Sequence, residues 1–502
     1  MFNKVLIANR GEIAVRVIRA CRELGIWTVA VYSEADRGAL HVRMADEAVE
    51  IGPAPARESY LSIERVLHAA RQTGASAIHP GYGFLSENTE FARQVRAAGL
   101  TFIGPPAEAI EALGSKAAAR ELAQQAGAPV VPGYQGADDE AALLAAAQEI
   151  GTPLLVKAAA GGGGKGMRRV DDLAGLAEGL AAARREALHA FGDGRLILER
   201  YIPHAHHVEF QILADAHGSV LHLFERDCSL QRRHQKVIEE SPSPLLDPAL
   251  RAQMGAAAVA IARQAGYTNA GTCEFIVDPD TRRFYFLEMN TRLQVEHPVT
   301  ELVVGLDLVQ WQLRIAAGER LPFAQSELRQ RGHAIECRLY AEDPAGGFLP
   351  AVGRLLRFSE PRGPGVRVDS GVTGGDEISL HYDPMIAKLI VHAEDRPAAI
   401  RRMQQALSET VLLGLTTNSP FLHDLLGHPD FHSGRAHTTW IEQEYAGWRQ
   451  PQCEPPPEVL AAAALTQFQG SGQGLAGPAA APAGPDPYSP WTAIGGFRLG
   501  EG

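Results

Sequence analysis

One short run of alternating residues constrains the fold and the chemistry of this 502-residue chain more than any other feature. In its second half, polar side chains recur at every second position, with apolar residues or threonine between them. Successive side chains of a strand point to opposite faces, so the pattern predicts an extended run from Phe284 to Glu296 whose polar groups share one face. Those polar residues are Glu288, Asn290, Arg292, Gln294 and Glu296.

The strand that precedes this run is predicted to pair with it as a hairpin. If Ile276 faces Phe286, then Glu274 faces Glu288 on the same side of the sheet. Two carboxylates about 4 Å apart repel by about 4 kcal/mol at an effective dielectric constant of about 20, so a compensating cation is expected. Carboxylate and amide oxygens suit Mg²⁺ or Mn²⁺, which predicts Glu274, Glu288 and Asn290 as metal ligands. The alternative is a solvated edge strand whose glutamates point apart.

Beyond these ligands, the same face offers a group for binding an anion and a group for accepting a proton. An arginine such as Arg292 can hold a small oxyanion by two parallel hydrogen bonds. A glutamate within reach, Glu296, can act as a general base. Metal ligands, anion site and base in this order indicate the ATP-dependent activation of a small acid.

A glycine run, 161–166, follows a predicted strand at 154–157 and has the sequence Gly-Gly-Gly-Gly-Lys-Gly. A dinucleotide-binding loop would lead into a helix, and a Walker A loop needs Ser or Thr after its lysine. A strand–loop–strand hairpin fits better, and its backbone N–H groups can approach phosphate oxygens because no Cβ intervenes. Lys157 would add an ammonium group to such a site. A flexible surface hairpin is the alternative.

Composition adds one positive signal and several exclusions. A chain that mostly uses arginine is expected to keep lysine where a compact, flexible point charge is needed. The net charge of −12 disfavours nucleic-acid binding, and no apolar run approaches the ~20 residues that span a membrane. Five scattered cysteines predict neither a zinc site nor disulfides, so a reducing cytoplasm is expected. The six lysines are Lys4, Lys116, Lys157, Lys165, Lys236 and Lys388.

Strand and helix patterns divide the chain into regions that differ in predicted secondary structure. Alternation over roughly the first 110 residues predicts an open parallel sheet. From a helix predicted at 115–127, with Ser115 as its N-cap, to about 330 the mixed pattern predicts an α+β unit. The tail at 450–490 is rich in Pro, Ala, Gly and Gln, which predicts a linker. Between these, the predicted elements are strands at 334–340, 353–358 and 386–392 and a helix at 396–409.

Five segments, at 7–14, 79–88, 161–167, 225–236 and 288–298, carry a specific resemblance. They resemble, in the same order, motifs of the biotin carboxylases, and the resemblance covers roughly residues 1–446. It implies a multidomain α/β and α+β fold. The implied parts are a Rossmann-like pre-ATP-grasp domain at 1–113, an ATP-grasp domain at 114–330 with a mobile lid at about 131–203, a C-terminal biotin carboxylase domain at 331–446, and a Pro/Ala/Gly-rich linker with the truncated start of a connecting region at 447–502.

The resemblance also implies an activity: ATP-dependent carboxylation of biotin with bicarbonate, through carboxyphosphate, as the first half-reaction of an acyl-CoA carboxylase. ATP, bicarbonate and Mg²⁺ or Mn²⁺, at two metal sites, would bind this chain. Biotin would arrive on a carrier domain or protein. The other implied partners are a carboxyltransferase subunit and a second copy of the chain in a homodimer, with no nucleic-acid or membrane partner.

Roles are carried over by position in the matching motifs. Glu296 would be the base, Arg292 would hold bicarbonate, Arg338 would steady the biotin enolate, and Lys236 would assist catalysis. The implied ATP-binding residues are Lys116, Lys157, Gly163, Gly164, Glu199, Arg200, Ile202, His207, Gln231, His234, Lys236, Ile276 and Glu288. The implied bicarbonate and biotin residues are Arg292, Gln294, Val295, Glu296, Arg338 and Tyr82, and Glu274, Glu288 and Asn290 match the metal ligands.

Two departures from the family pattern matter. Arg200 stands where many relatives have lysine, and it would serve through its backbone. No lysine lies in the Ala-Met-Lys-Met setting of a biotin acceptor. Biotin is therefore not expected on this chain, and a truncated or split α subunit is predicted.

Two other functions stay open at this point. Another ATP-grasp ligase, joining a carboxylate to an amine, would share the metal ligands and the glycine hairpin, but not Arg338 or the 79–88 loop. A non-catalytic nucleotide-binding subunit would bind ATP without turnover.

Overall fold

The computed structural model describes residues 1–136, 138–159, 167–450 and 454–471. The glycine run, with the predicted nucleotide ligands Gly163 and Gly164, lies outside these residues, so its role stays a prediction. The chain divides into two units, Met1–Arg449 and Gln450–Gly502.

A five-stranded parallel sheet forms the N-terminal part, as the alternation of strands and helices predicts. Its inner strands are largely buried and carry continuous apolar runs, of which Val5, Leu6 and Ile7 are fully buried, whereas the edge strand Glu47–Glu50 is partly exposed. In sheet order the strands are Glu47–Glu50, Trp27–Tyr32, Lys4–Ile7, Ala77–His79 and Thr101–Phe102. The accompanying helices are Gly11–Glu23, Leu40–Met44, Ile63–Thr73, Thr89–Ala97 and Ala107–Gly114.

A central antiparallel sheet of eight strands carries the predicted site. It joins the predicted ATP-grasp and C-terminal regions, because strand Gln235–Ser241 pairs with strand His333–Tyr340. In sheet order the strands are Phe284–Asn290, Asn269–Val277, His206–Ala214, Val220–Arg232, Gln235–Ser241, His333–Tyr340, Met385–Ala393 and Val366–Ser370.

The two faces of the central sheet differ in chemistry. On one face, Phe210 and its apolar neighbours pack against the helix Pro248–Gln264. Period-two alternation turns Glu209 and Glu274 to the other face. Helix His297–Val304 packs against several central strands. The sheet therefore combines an apolar core on one side with a row of buried polar groups on the other.

A small antiparallel sheet is formed by four strands, two of which flank the glycine run in the sequence. Strand Leu154–Ala158 pairs with strand Arg168–Val170, which confirms the predicted strand–loop–strand hairpin. The predicted N-cap is confirmed as well, because the Ser115 side chain accepts from the Ala118 N–H at the start of helix Lys116–Gln125. The other elements are the strands Gly133–Tyr134 and Leu196–Arg200 and the helices Glu140–Ile150 and Leu176–Phe191.

The predicted strands 334–340 and 386–392 and the predicted helix 396–409 are present with small shifts at their ends. The predicted strand 353–358 is instead divided into two short strands, Gly353–Arg354 and Arg357–Ser359, which pair with different partners. Helix Arg396–Glu409 and helix Ser419–Gly427 bury their apolar faces against the central sheet. The remaining strands are Glu342–Asp343, Leu349–Pro350, Gly353–Arg354, Arg357–Ser359, Glu377–Ile378 and Val411–Leu413, and the remaining helices are Leu308–Ala316, Pro429–His432 and Trp440–Glu444, with 3-10 turns at Glu34–Asp36, Ala56–Glu58 and Gln325–Glu327.

In the second unit, the region predicted as a linker contains a helix, Pro457–Ser471. Its alanine run has high helix propensity, and proline is well tolerated at a first helical position. The predicted connecting region beyond residue 490 lies outside the described residues. No helix in the described part of the chain is long and apolar enough to span a membrane.

Candidate active site

The two glutamates predicted to bind metal lie opposite each other at one edge of the central sheet. Glu274 pairs with Glu288 across the hairpin, which confirms their predicted opposition. The predicted pairing of Ile276 with Phe286 is wrong, because the register shifts by one residue beyond Glu274 and Ile276 pairs with Tyr285. Such a bulge inserts one extra residue into one strand of a hairpin.

A third glutamate extends this row of carboxylates onto the next strand. Glu209 pairs with Glu274, and both side chains are buried. Lys236 Nζ donates to Glu209 Oε2 at 2.5 Å, to Glu274 Oε1 at 2.9 Å and to Glu296 Oε1 at 2.6 Å. One ammonium group thus compensates three carboxylates, as buried charges require partners.

These contacts decide the protonation of the row. Burial opposes the ionisation of Glu274, but Lys236 and His207 outweigh it, so the pKa of Glu274 lies below its ordinary value. His207 Nε2 lies 3.0 Å from Glu274 Oε2. Burial also works against the charged form of Lys236, yet the surrounding carboxylates raise the pKa of Lys236 well above its ordinary value. Lys236 is therefore charged and Glu274 ionised at neutral pH.

The alternating run does not stay in the sheet to its end, contrary to the prediction. Its strand ends at Asn290, and a helix begins at His297. A distant loop bends the chain between them, since Glu87 accepts from the Thr291 N–H at 3.0 Å and from Arg292 Nε at 2.9 Å. Alternation within the run cannot reveal a partner that lies about 200 residues earlier in the chain.

The bend nevertheless brings the predicted residues together around Glu274. Asn290 Nδ2 and Gln294 Nε2 donate to Glu274 Oε1 at 2.8 and 3.1 Å. Arg292 Nη2 donates to Asn290 Oδ1 at 3.0 Å, and its Nη1 donates to Gln294 Oε1 at 3.1 Å. Held on both sides, the Arg292 guanidinium has the fixed planar geometry that suits a small oxyanion.

The predicted base and the predicted biotin residue form a buried ion pair. Arg338 Nη2 donates to Glu296 Oε2 at 2.8 Å, and Arg338 Nε donates to Glu239 Oε1 at 2.6 Å. Burial opposes the ionisation of Glu296, but Lys236 and Arg338 outweigh it and hold the pKa of Glu296 well below its ordinary value. Burial raises the pKa of Glu239 to about 7 in spite of Arg338. Glu296 is therefore a carboxylate at neutral pH.

The pair Glu274 and Glu288 fits a divalent cation. Within the described ranges, the half-buried Glu288 carboxylate has no hydrogen-bond or ion-pair partner. Burial raises the pKa of Glu288, and the facing Glu274 adds to this effect. A cation with hard oxygen ligands would remove the repulsion, and Glu274, Glu288 and Asn290 supply such oxygens. The donor set therefore suits Mg²⁺ or Mn²⁺.

Other predicted nucleotide-binding residues border the row of carboxylates. Lys157 forms an ion pair with Glu199 in the small sheet. Burial lowers the pKa of His234, and the nearby charges of Lys157 and Lys116 lower it further. Lys116 also acts electrostatically on Glu288. Lys116 is therefore close enough to act on Glu288 at the sheet edge, and Lys116 and Lys157 both act on His234.

The remaining predicted nucleotide residues lie on the strands and loops around this edge. Gln231 is buried at the end of a central strand, and Ile276 pairs with His207. Arg200 ends a strand of the small sheet, and Ile202 is half-buried shortly after it. In the described part of the chain, no hydrogen bond or ion pair joins Arg200 or Ile202 to the row of carboxylates.

Tyr82 and Val295 are connected through two further buried residues. The Tyr82 hydroxyl donates to Glu12. Glu12 Oε1 lies 3.5 Å from Lys388 Nζ, and Lys388 Nζ donates to the Val295 carbonyl at 2.6 Å. Tyr82, a predicted biotin residue, and Val295, a predicted bicarbonate residue, are thus joined by one chain of polar contacts.

Several residues of the site are missed by the sequence analysis. Glu87 lies inside the 79–88 segment that resembles the family motif, so its position in the motif could have indicated a role in the site. Arg226 lies inside the 225–236 segment and had the same signal. Glu209 and Glu239 lie outside the five segments and gave none, because their contacts depend on pairing between strands far apart in sequence. Arg226 is fully buried and donates to Glu209 at 2.6 Å.

Family models match nearly the whole first unit. The model described as "Biotin carboxylase, N-terminal domain" matches residues 1–110. The model "Carbamoyl-phosphate synthase L chain, ATP binding domain" matches residues 115–324. The model "Biotin carboxylase C-terminal domain" matches residues 336–443.

Curated relatives match at high identity. The α subunit of the mitochondrial methylcrotonoyl-CoA carboxylase of Dictyostelium discoideum is 49% identical over 505 residues, covering 99% of this chain and 70% of that protein. The biotin carboxylase of Halalkalibacterium halodurans is 52% identical over 442 residues, covering 88% of this chain and 97% of that protein. Other methylcrotonoyl-CoA carboxylase α subunits are covered over only 60–62% of their length.

A solved structure matches the fold as well. The biotin carboxylase domain of the Hydrogenobacter thermophilus 2-oxoglutarate carboxylase, a dimer in complex with MgADP, ADP and bicarbonate, is 48% identical with a TM-score of 0.85. The match covers 90% of this chain and all of that domain.

Proposed function

The chain belongs to the biotin carboxylase family, and from this premise we propose that it carboxylates carrier-bound biotin, using ATP and bicarbonate. One observation carries the proposal. Glu296 is buried between Lys236 and Arg338. The Arg292 guanidinium donates to the side-chain oxygens of Asn290 and Gln294. A proton acceptor, an oxyanion site and two buried cations are thus assembled in one place.

Arg292 would hold bicarbonate and Glu296 would take its proton. Ion pairing with Lys236 and Arg338 weakens Glu296 as a base, because both cations favour its ionised form. A polyphosphate that attracts Lys236, and a biotin carbonyl that attracts Arg338, would each remove part of this pairing. Substrate binding would therefore raise the basicity of Glu296 at the moment when a base is needed.

The ATP phosphates would lie between the row of carboxylates and the lysines at its border. Glu274, Glu288 and Asn290 would hold Mg²⁺ or Mn²⁺, which neutralises charge on the phosphates when bound. Lys116 and Lys157 would add ammonium groups from the side of the small sheet. The glycine run at 161–166 would cover the phosphates and exclude water as a lid.

Deprotonated bicarbonate would attack the γ-phosphorus, giving carboxyphosphate and ADP. Carboxyphosphate would then release CO₂ and phosphate, and the phosphate would take the proton from the ureido nitrogen of biotin. Arg338 would stabilise the enolate oxygen as this nitrogen attacks CO₂. Tyr82 would contact the biotin ring.

The proposal extends to partners and location. The chain would form a homodimer, receive biotin from a carrier domain or protein, and serve a carboxyltransferase subunit of an acyl-CoA carboxylase. The domain limits given in the sequence analysis belong to the same proposal. A cytoplasmic location would suit the four described cysteines, which are buried and unpaired.

The direct test measures ADP release and the carboxylation of free biotin by the purified chain. We expect ADP release that requires bicarbonate and Mg²⁺ and rises when biotin is added. Amine-dependent ADP release without a bicarbonate requirement would favour a carboxylate–amine ligase instead. ATP binding without turnover under all conditions would favour a non-catalytic subunit.

A further inference from the structure

Lys388 is a buried lysine for which the proposed mechanism has no role. It lies in the central strand Met385–Ala393, and its side chain is 0% exposed. Burying an ammonium group is costly unless partners surround it, and long lysine side chains usually reach solvent. One of the six lysines of the chain therefore occupies a position where burial of its charge is costly.

The partners of Lys388 are two carboxylates and one backbone carbonyl. Its Nζ lies 3.5 Å from Glu12 Oε1 and 3.8 Å from Asp369 Oδ2. The shortest contact is to the Val295 carbonyl at 2.6 Å. Val295 lies in the turn between the edge strand and the helix that begins at His297. The carboxylates thus keep the ammonium group charged, and the carbonyl receives its best hydrogen bond.

The strand register explains why Lys388 reaches this turn. Lys388 pairs directly with Arg338 on the adjacent strand, so both side chains leave the same face of the sheet. Arg338 donates to the carboxylate of Glu296, and Lys388 donates to the carbonyl of Val295. Two neighbouring cations therefore hold two consecutive residues, one by its side chain and the other by its backbone.

The contact with Glu12 connects Lys388 to the N-terminal helix Gly11–Glu23 and to Tyr82. Glu12 lies in the first turn of helix Gly11–Glu23 and accepts from the Tyr82 hydroxyl. Glu12 is buried, so its carboxylate needs the charge of Lys388. A displacement of Lys388 would therefore reach Tyr82 and Val295 together.

We infer that Lys388 is a positioning residue, which fixes the Val295–Glu296 backbone for proton transfer and, through Glu12, orients Tyr82 towards biotin. The inference rests on the proposed biotin carboxylase activity. A base misplaced by about 1 Å can cost on the order of 100-fold in rate. The described polar contacts of Lys388 are to Val295, Glu12 and Asp369, none of which is a predicted ATP-binding residue.

The test replaces Lys388 by methionine in the full chain, which keeps the length of the side chain and removes its charge. We expect kcat for biotin carboxylation to fall about 10- to 100-fold, since the base is no longer held in place. KM for bicarbonate and for biotin should rise, whereas KM for MgATP should stay within about twofold of wild type.

A double variant separates positioning from stability. K388M alone leaves Glu12 buried without its cation, whereas K388M combined with E12Q removes both charges. We expect the double variant to recover the thermal midpoint but not kcat, because the hydrogen bond to Val295 is still absent. Recovery of kcat together with the midpoint would overturn the inference.

Lys4 provides a matched control, because its Nζ also donates to a carboxylate and to a carbonyl, of Glu47 and Thr73, at 2.6 and 2.7 Å. K4M should keep wild-type kinetics. Wild-type kinetics in K388M, or an equal rise of KM for MgATP, would also contradict the inference. An inactive wild-type chain would instead refute the proposed function.

Discussion

Of the opposed glutamate pairs in the central sheet, two have their negative charge compensated in different ways. The outer pair, Glu274 and Glu288, joins the first two strands of the sheet. The inner pair, Glu239 and Glu336, joins the fifth and sixth strands. Both pairs place carboxylates directly across a ladder, where like charges are destabilising. What surrounds each pair determines its function.

The inner pair is closed off from solvent and supplied with its own cation. Glu239 and Glu336 are 0% exposed, and Arg338 donates to Glu239. Burial raises the pKa of Glu336 well above its ordinary value, which favours the neutral carboxyl. A proton and an arginine therefore resolve the repulsion. In the outer pair, Lys236 compensates Glu274, whereas half-buried Glu288 at the sheet edge would depend on a cation from solution.

The largest effect should follow when the internal cation of the inner pair is removed. R338M leaves Glu239 and Glu296 buried without their shared partner, which should cost about 3–5 kcal/mol of unfolding free energy. Biotin carboxylation should fall much more than bicarbonate-dependent ADP release, because Arg338 acts on biotin. Denaturant unfolding and the two activity assays measure these effects. A parallel loss of both activities at unchanged stability would contradict the distinct role of this cation.

At the outer pair, replacing Glu288 should strongly reduce activity without destabilising the fold. E288Q removes a metal ligand and the repulsion with Glu274 at once. We expect MgATP turnover to fall on the order of 100-fold, while the free energy of unfolding stays the same or rises slightly. ADP release over a range of Mg²⁺ concentrations and a thermal melt test both parts. D280N, in the exposed turn of the same hairpin, is the matched control and should behave as wild type.

The contrast between the pairs also shows what the sequence could predict. The outer pair was predictable because its two strands are joined by a short turn, although the one-residue register shift beyond Glu274 was not. The inner pair was not, since residues 239 and 336 are almost a hundred positions apart and nothing local sets their pairing. The end of the edge strand at Asn290 escaped prediction for the same reason, because Glu87 bends the chain from a distance. Motif resemblance supplied Arg338, and only the fold connected it to Glu239.

A smaller difference should appear in ligand-dependent stability. A ligand at about 100 times its dissociation constant stabilises a protein by about 2.7 kcal/mol. MgATP should raise the thermal midpoint of wild type and of E336Q by the same amount, since Glu336 is not among the proposed metal ligands. E288Q should gain clearly less, because its metal site is incomplete. An equal gain in all three proteins would show that the outer pair takes no part in binding the nucleotide–metal complex.

The smallest effect concerns the proton of the inner pair. Burial raises the pKa of Glu239 to about 7 from an ordinary value of 4.5. The folded state therefore holds a proton more tightly than the unfolded chain. The resulting stability is fully present below pH 4.5 and is lost as the pH rises through about 7. Between pH 6 and 8, wild type should lose about 1 kcal/mol of unfolding free energy relative to E239Q, whose amide oxygen can still accept from Arg338. Equal slopes in denaturant titrations at these two pH values would mean that Glu239 is ionised throughout, and that Arg338 alone compensates the inner pair.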